Sequence, residues 1–377
     1  MVACALSFAA CGGSGTLTGA GGMGGARTGG GIVGSAGLGV TMTGIGGIPG
    51  GIGLVGGGDT GIGGTGDGSY CGRAVRAMEL PPRLVAMLDG SLSMNDDMNA
   101  AACSGGCGQS SKWAAAVEAI NTVAVESEPH ALWGLGLFGI EDTDVCGIGS
   151  VDVPPVFGSP PVITARLRAH STANGGVASG PARQTRGAVN AASTFLFNQT
   201  DSNDNVIVLM TDGVPTCSAG GGAPAADDTL ATVEAITRAR TGGFPTFVVG
   251  IATGGGPAHD SLTMMGNAAG VVGFNAGASN YFAASSVAEL RSALRAVVDM
   301  TGGCTFEVPR TPGAAASRSN IAVTLGDLHV AKDSTHVAGW DFVSDAQTAV
   351  RLYGPPCDAA RSVPAPQVSV VFYCLIQ

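Results

Sequence analysis

Three side chains within five residues carry the chemistry that is easiest to name. Asp89, Ser91 and Ser93 alternate with Gly90 and Leu92, directly after an apolar stretch over 83–88. One carboxylate and two hydroxyls at i, i+2 and i+4 can be aimed by a single tight loop at one point. Oxygen donors of this kind suit hard cations such as Mg²⁺, Mn²⁺ or Ca²⁺ rather than soft ones. A second carboxylate, Asp212, stands in Thr211-Asp212-Gly213 after another apolar run, 205–210. In open α/β sheets, ligands bind outside the carboxyl ends of the strands, where loops from distant parts of the chain converge.

Such a site needs a frame. Short apolar runs over 83–88, 131–140, 205–210, 245–251 and 281–282 read as strands. Between them, apolar residues recur at helical spacing over 112–125, 182–197, 226–240, 261–269 and 286–300. Strands alternating with helices predict a doubly wound, mostly parallel sheet covered on both faces. After Gly302 and Gly303 the texture changes to short strands over 321–325, 328–331, 340–343, 349–353 and 368–373, separated by Gly, Pro and Asp turns. This predicts a small β module. A module of that size usually needs covalent staples.

Asp89-Gly90-Ser91-Leu92-Ser93 at a strand's carboxyl end, followed in order by Thr211-Asp212-Gly213 and by Tyr281-Phe282 with Ser286 to Leu290, resembles the von Willebrand factor type A (vWA) domain and its metal-ion-dependent adhesion site. The resemblance covers about residues 81–300. It implies a Rossmann-like α/β fold in which Ser91 and Ser93 bind a divalent ion, Mg²⁺ first and Mn²⁺ or Ca²⁺ next, through their hydroxyls. Asp89 and Asp212 would act directly or through water. The ion would then take an acidic group from a protein or polysaccharide partner as its last ligand. The family also supplies a threonine from a GGTxT-like stretch. Here Gly175 and Gly176 are followed by Val177, with Ser179 two residues on; aligning instead on the following helix offers Thr185. Thr185 is the expected third hydroxyl and Ser179 the second choice.

The rest of the chain sets the context. Glycine accounts for 63 of 377 residues, and Lys+Arg 18 against Asp+Glu 28 gives a net charge of −10. That balance argues against nucleic acid, whose phosphates demand a basic face. Neither of the two lysines, Lys112 and Lys332, follows a glycine, so no phosphate-cradling GxxxxGK[ST] loop is present. Residues 12–70 form a glycine-rich tract, expected to be a disordered linker spanning about 40 Å r.m.s.. Residues 1–11 end in Phe8-Ala9-Ala10-Cys11, which resembles a bacterial lipoprotein signal, although no Lys or Arg precedes it. The resemblance implies lipidation of Cys11, a membrane contact by lipid anchor only, and export to the cell envelope. Gly12 after that cysteine is compatible with outer-membrane sorting.

The expected organisation is thus a signal-like segment (1–11), a linker (12–70), a vWA domain (71–301) and a β module (302–377). Eight cysteines in the last two parts form an even set. In an exported chain this reads as disulfides. A zinc site at Cys103 and Cys107 is the rival. Cys103, Cys107, Cys146 and Cys217 are expected to brace the rim of the site by disulfides, and Cys71 is a candidate partner for Cys304. No HExxH or GxSxG motif occurs, so no catalytic residue is assigned. The leading expectation is a surface adhesion module that captures an acidic group through a metal ion. The alternative is a structural envelope protein with a degenerate metal site, and a metal-dependent hydrolase comes third.

Overall fold

The computed structural model describes residues 74–140, 149–180, 182–217, 227–271, 280–310, 316–362 and 367–374. The lipidation candidate Cys11, the linker, Cys71 and Cys146 lie outside the described residues. In chain order the elements are β1 (Ala74–Arg76), β2 (Arg83–Asp89), α1 (Lys112–Ser127), β3 (Leu132–Phe138), α2 (Ser159–His170), α3 (Thr185–Phe197), β4 (Asn205–Thr211) and α4 (Thr229–Thr241). They continue with β5 (Thr246–Ile251), α5 (Gly256–Ala269), β6 (Phe282–Ala284), α6 (Val287–Thr301), β7 (Thr305–Glu307), β8 (Ala316–Leu325) and β9 (Leu328–Val330). The last are β10 (Gly339–Phe342), β11 (Ala349–Tyr353), α7 (Pro355–Arg361) and β12 (Val368–Cys374).

Five strands form one sheet in the order β3-β2-β4-β5-β6, and each described pairing in it is parallel. Every residue of β2 and β3 is buried, as expected of strands covered on both faces. The period of two sorts β2 cleanly. Leu84, Ala86 and Leu88 join a core with Trp113, Ile120 and Val123 of α1, Ile163 and Leu167 of α2, and Leu290, Leu294 and Val297 of α6. Val85 and Met87 face the opposite core, with Val189 and Leu196 of α3, Ile236 of α4 and Leu262 and Met265 of α5. The chain moves from β2 outward to β3, then returns past β2 to β4. That reversal puts the topological switch point at the carboxyl end of β2, where Asp89 stands.

Serine caps start two helices. Ser111 Oγ accepts from Ala114 N at 3.1 Å, which fixes α1 immediately ahead of Lys112. Ser286 Oγ accepts from Glu289 N, a first-turn donor of α6, and Glu289 reaches back to Ser285 N just ahead of the cap, a variant of the reciprocal capping box. Two helices, α2 and α7, are absent from the sequence reading. Each opens with two prolines, Pro160-Pro161 and Pro355-Pro356, which look like breakers but occupy the first turn, where the missing N–H is not needed.

The β module has two antiparallel sheets, β1-β12-β8-β9 and β10-β11-β7. Their shared core contains Phe306, Val323, Trp340, Val350, Val370 and Phe372. Strand β1, ahead of the α/β part in sequence, pairs with β12. The module therefore takes a strand from the 71–301 span as well as from 302 onward. It meets the α/β sheet at the edge opposite Asp89: Thr305 Oγ1 and Arg351 reach Asp204, which precedes β4, at 2.8 and 2.7 Å. Cys304 is disulfide-bonded to Cys357, not to Cys71. Both cysteines sit in the module's own core, so the staple forms within that core. No described helix is long and apolar enough to cross a membrane.

Candidate functional site at the carboxyl edge of the sheet

Asp89 is the last residue of β2, and Thr211 is the last of β4, the neighbouring strand. Parallel pairing therefore delivers Asp89 and Asp212 to the same edge. Close approach there needs glycine. Gly139, just past β3, adopts φ +71°, and a Cβ would stand 2.9 Å from Ser91 N and 3.1 Å from Asp89 Oδ1. The DxSxS loop then turns into a short 3₁₀ helix, Leu92–Asn95.

The side chains gather closely. Asp89 Oδ1 accepts from Ser91 N at 2.8 Å, and its Oδ2 accepts from Thr211 Oγ1 at 2.5 Å. Ser93 Oγ donates to Asp212 Oδ1 at 2.9 Å, and the two serine hydroxyls are 3.5 Å apart. Four of the expected metal-site residues, Asp89, Ser91, Ser93 and Asp212, are thus brought together. Asp89 is completely buried.

The point on which these oxygens converge is taken by the guanidinium of Arg183. Its Nε donates to Asp89 Oδ2 at 2.8 Å and lies 3.2 Å from Ser91 Oγ. Its Nη2 donates to Ser93 Oγ at 2.5 Å and to Asp212 Oδ1 at 2.9 Å, and its Nη1 donates to Val214 O at 2.8 Å. A second cation completes the balance: Lys112 Nζ, on the first residue of α1, donates to Asp212 Oδ2 at 2.9 Å and is buried. Burial drives the Asp89 carboxyl above the ordinary carboxylate range, against the pull of Arg183. Burial acts to lower the Arg183 pKa, but the charges of Asp89 and Asp212 prevail and hold it above its ordinary value. The guanidinium stays charged.

The expected third hydroxyl, that of Thr185, makes no hydrogen bond with the cluster. Thr185 is the first residue of α3; its Oγ1 is buried and has no hydrogen-bond partner. Ser179 lies in an isolated bridge with Ile140. The residue of this segment that reaches the acidic pair is Arg183, which the sequence reading passed over. The available signals were a basic residue in the hydroxyl-supplying segment and the glycine after Asp212. A Cβ on Gly213 would stand 2.8 Å from Arg183 Nη1.

A divalent ion does not fit this arrangement. The oxygens that would ligate it already accept from Arg183, Lys112 and Thr211, and the two carboxylates are matched by two cations. The unpartnered Thr185 hydroxyl is a donor oxygen that an ion could use, but one neutral oxygen does not offset a guanidinium at the centre. Among the described residues no three His, Cys, Asp or Glu side chains form a group able to hold a metal ion.

The rim carries a disulfide between Cys103 and Cys107, in the loop between the DxSxS segment and α1. This pair is closed by sulfur chemistry and is not a zinc site. Cys217, after β4, is also disulfide-bonded.

No family model matches the sequence, and no curated protein matches it. Among solved structures the chain is similar to the pilus adhesin SpaC of Lactobacillus rhamnosus GG, at 14% identity over 78% of this chain and 39% of that one, with a TM-score of 0.43. It is also similar to the proximal thread matrix protein 1 of the mussel byssus in a form with a zinc-occupied MIDAS motif, at 12% identity over 60% of this chain and 49% of that one, TM-score 0.36. A third is the PilB minor pilin of Streptococcus sanguinis, at 14% identity over 59% of this chain and 61% of that one, TM-score 0.39. The chain spans between 39 and 61% of the length of these three proteins.

Proposed function

We propose that this chain is a non-catalytic binding and scaffolding module of the cell envelope, built on a vWA-like frame whose metal site is degenerate. The observation that carries this reading is the Arg183 guanidinium lying among Asp89, Ser91, Ser93 and Asp212. Capture of an acidic partner through Mg²⁺, Mn²⁺ or Ca²⁺, as the motif implies, would require Arg183 to leave that position. A structural or metal-independent binding role requires no rearrangement. Disulfides at Cys103–Cys107 and Cys304–Cys357 support an oxidising compartment, in keeping with export. The adhesin and pilin names borne by SpaC and PilB belong to the same setting. Anchoring through lipidated Cys11 and protein or polysaccharide partners are parts of the proposal.

The test is retention of the purified chain on an envelope fraction in Mg²⁺ and in EDTA. Equal retention in both is expected. Retention lost in EDTA would overturn the metal-independent reading in favour of metal-bridged capture. Lack of retention in either would overturn the binding role.

A further inference from the structure

We infer that Arg183 is the resident cation of the DxSxS cage: it occupies the place of a divalent ion and ties together the loop segments that such an ion would tie. The inference deepens the reading above but is tested independently of it.

Three observations carry it. The first is connectivity. The guanidinium bridges the loop after β2, through Asp89, Ser91 and Ser93, to the loop after β4, through Asp212 and Val214 O. Its own backbone is locked to the second loop by Arg183 N to Thr216 Oγ1 at 2.9 Å and Thr216 N to Arg183 O at 3.1 Å. A planar fork of five N–H donors can serve several acceptors at once, which an ammonium cannot do. The second is charge. Two buried carboxylates side by side repel each other, and each needs a partner to remain ionised in a dry site. Arg183 and Lys112 together supply two positive charges, as one dication would. The third is shape. The backbone at Gly213 lacks the carbon that would collide with Nη1, so the turn after Asp212 is cut to admit this side chain.

The consequence is a site assembled without metal. Its outer face is a shallow pocket of about 340 Å³ lined by Ser91, Ser93, Asp96, Arg183 and Thr216. Only an edge of Arg183, 13% exposed, reaches it. Because the positive charge there is already matched, the pocket lacks the strong electrophile of a metal-centred site.

The experiment compares the full chain with Arg183→Thr, using Mn²⁺ as probe, read by electron paramagnetic resonance and thermal melting. The wild type is expected to show the same Tm in EDTA and in Mn²⁺, and no bound Mn²⁺ that Ser93→Ala removes. Arg183→Thr is expected to melt lower by on the order of 10 °C in EDTA, because two carboxylates lose a buried partner. It should then gain a Mn²⁺ site and recover part of the loss by mass action. Stoichiometric Mn²⁺ in the wild type, abolished by Ser93→Ala, would overturn the inference. So would an Arg183→Thr protein that melts like the wild type. If Arg183→Thr does not fold, the wild-type measurement decides alone. Failure of envelope retention would leave these results untouched.

Discussion

Asp89 and Arg183, 94 residues apart in the chain, meet at the carboxyl end of β2 with Oδ2 accepting from Nε at 2.8 Å. Asp89 is fully buried and Arg183 nearly so. A pair of this kind does not have to add net stability, since desolvating both charges offsets much of their attraction. Its removal by halves is another matter, because the remaining charge is left buried without a partner. The site is therefore best probed by changes that unbalance it.

Gly213→Ala places a methyl group against Arg183 Nη1. The guanidinium is held from several sides and cannot swing away freely, so the substitution should cost about 1–3 kcal/mol, the range for overpacking a tight site. In an Arg183→Thr background most of that cost should vanish. A double-mutant cycle by urea denaturation measures it; equal costs in both backgrounds would show that Gly213 does not serve Arg183.

Lys112→Met removes the ammonium that meets Asp212 Oδ2 and keeps much of the aliphatic stem. Asp212 retains Arg183 and Ser93, so the loss should fall near the lower end of that for breaking a buried pair, about 3 kcal/mol. Because both partners are buried, raising the salt concentration should not reduce this difference. Denaturant melts at two ionic strengths check both points.

Replacing Cys304 and Cys357 together by serine opens a loop with a sequence separation of 53. The chain-entropy account gives about 4 kcal/mol for a loop of that length. The loss should be concentrated in the β module. Hydrogen exchange is expected to accelerate in β7 and β11 while β2 and β4 keep their protection.

Asp333 holds the turn before β10. Its carboxylate accepts from Thr335 Oγ1 and from the backbone N–H groups of Ala338, Thr335 and Val337. The side-chain bond from Thr335, followed by these backbone bonds, sets its pKa far below the ordinary value. A depressed carboxylate lends stability that is complete above the unfolded-state pKa, about 3.9, and is lost as pH falls through the folded-state value. The turn should therefore remain ordered at pH 4. Carbon-detected NMR titration of the Asp333 carboxyl checks this; a midpoint near 3.9 would contradict it.

Much of this arrangement was legible in the residues. The run from Arg83 to Leu88 reads as a buried strand because it is apolar on both faces, and Asp89 marks its end because a carboxylate does not continue such a run. Spacing alone then groups Ser91 and Ser93 with it, and the second apolar run delivers Asp212. The side chain that fills the cage was not legible. Arginine in a loop reads as a solvated residue, and where a long side chain ends is fixed by the tertiary fold. Thr185 has the right chemistry and the right segment, and its buried hydroxyl makes no hydrogen bond, whereas Arg183, two residues earlier, is bonded to both carboxylates. Cysteine pairing escaped for a similar reason: Cys304 and Cys357 are brought together by the core of the β module, which no local pattern encodes. The proline-led helices α2 and α7 were hidden because proline reads as an interruption unless the turn that follows is known.

The most direct test of the resident guanidinium is a diffraction experiment on crystals of the wild-type chain grown with Mn²⁺, with data collected near the manganese absorption edge. The expected result is continuous side-chain density for Arg183 between Asp89 and Asp212 and no anomalous peak there. A manganese peak within coordination distance of Ser91, Ser93 and Asp212, with Arg183 displaced, would contradict the account.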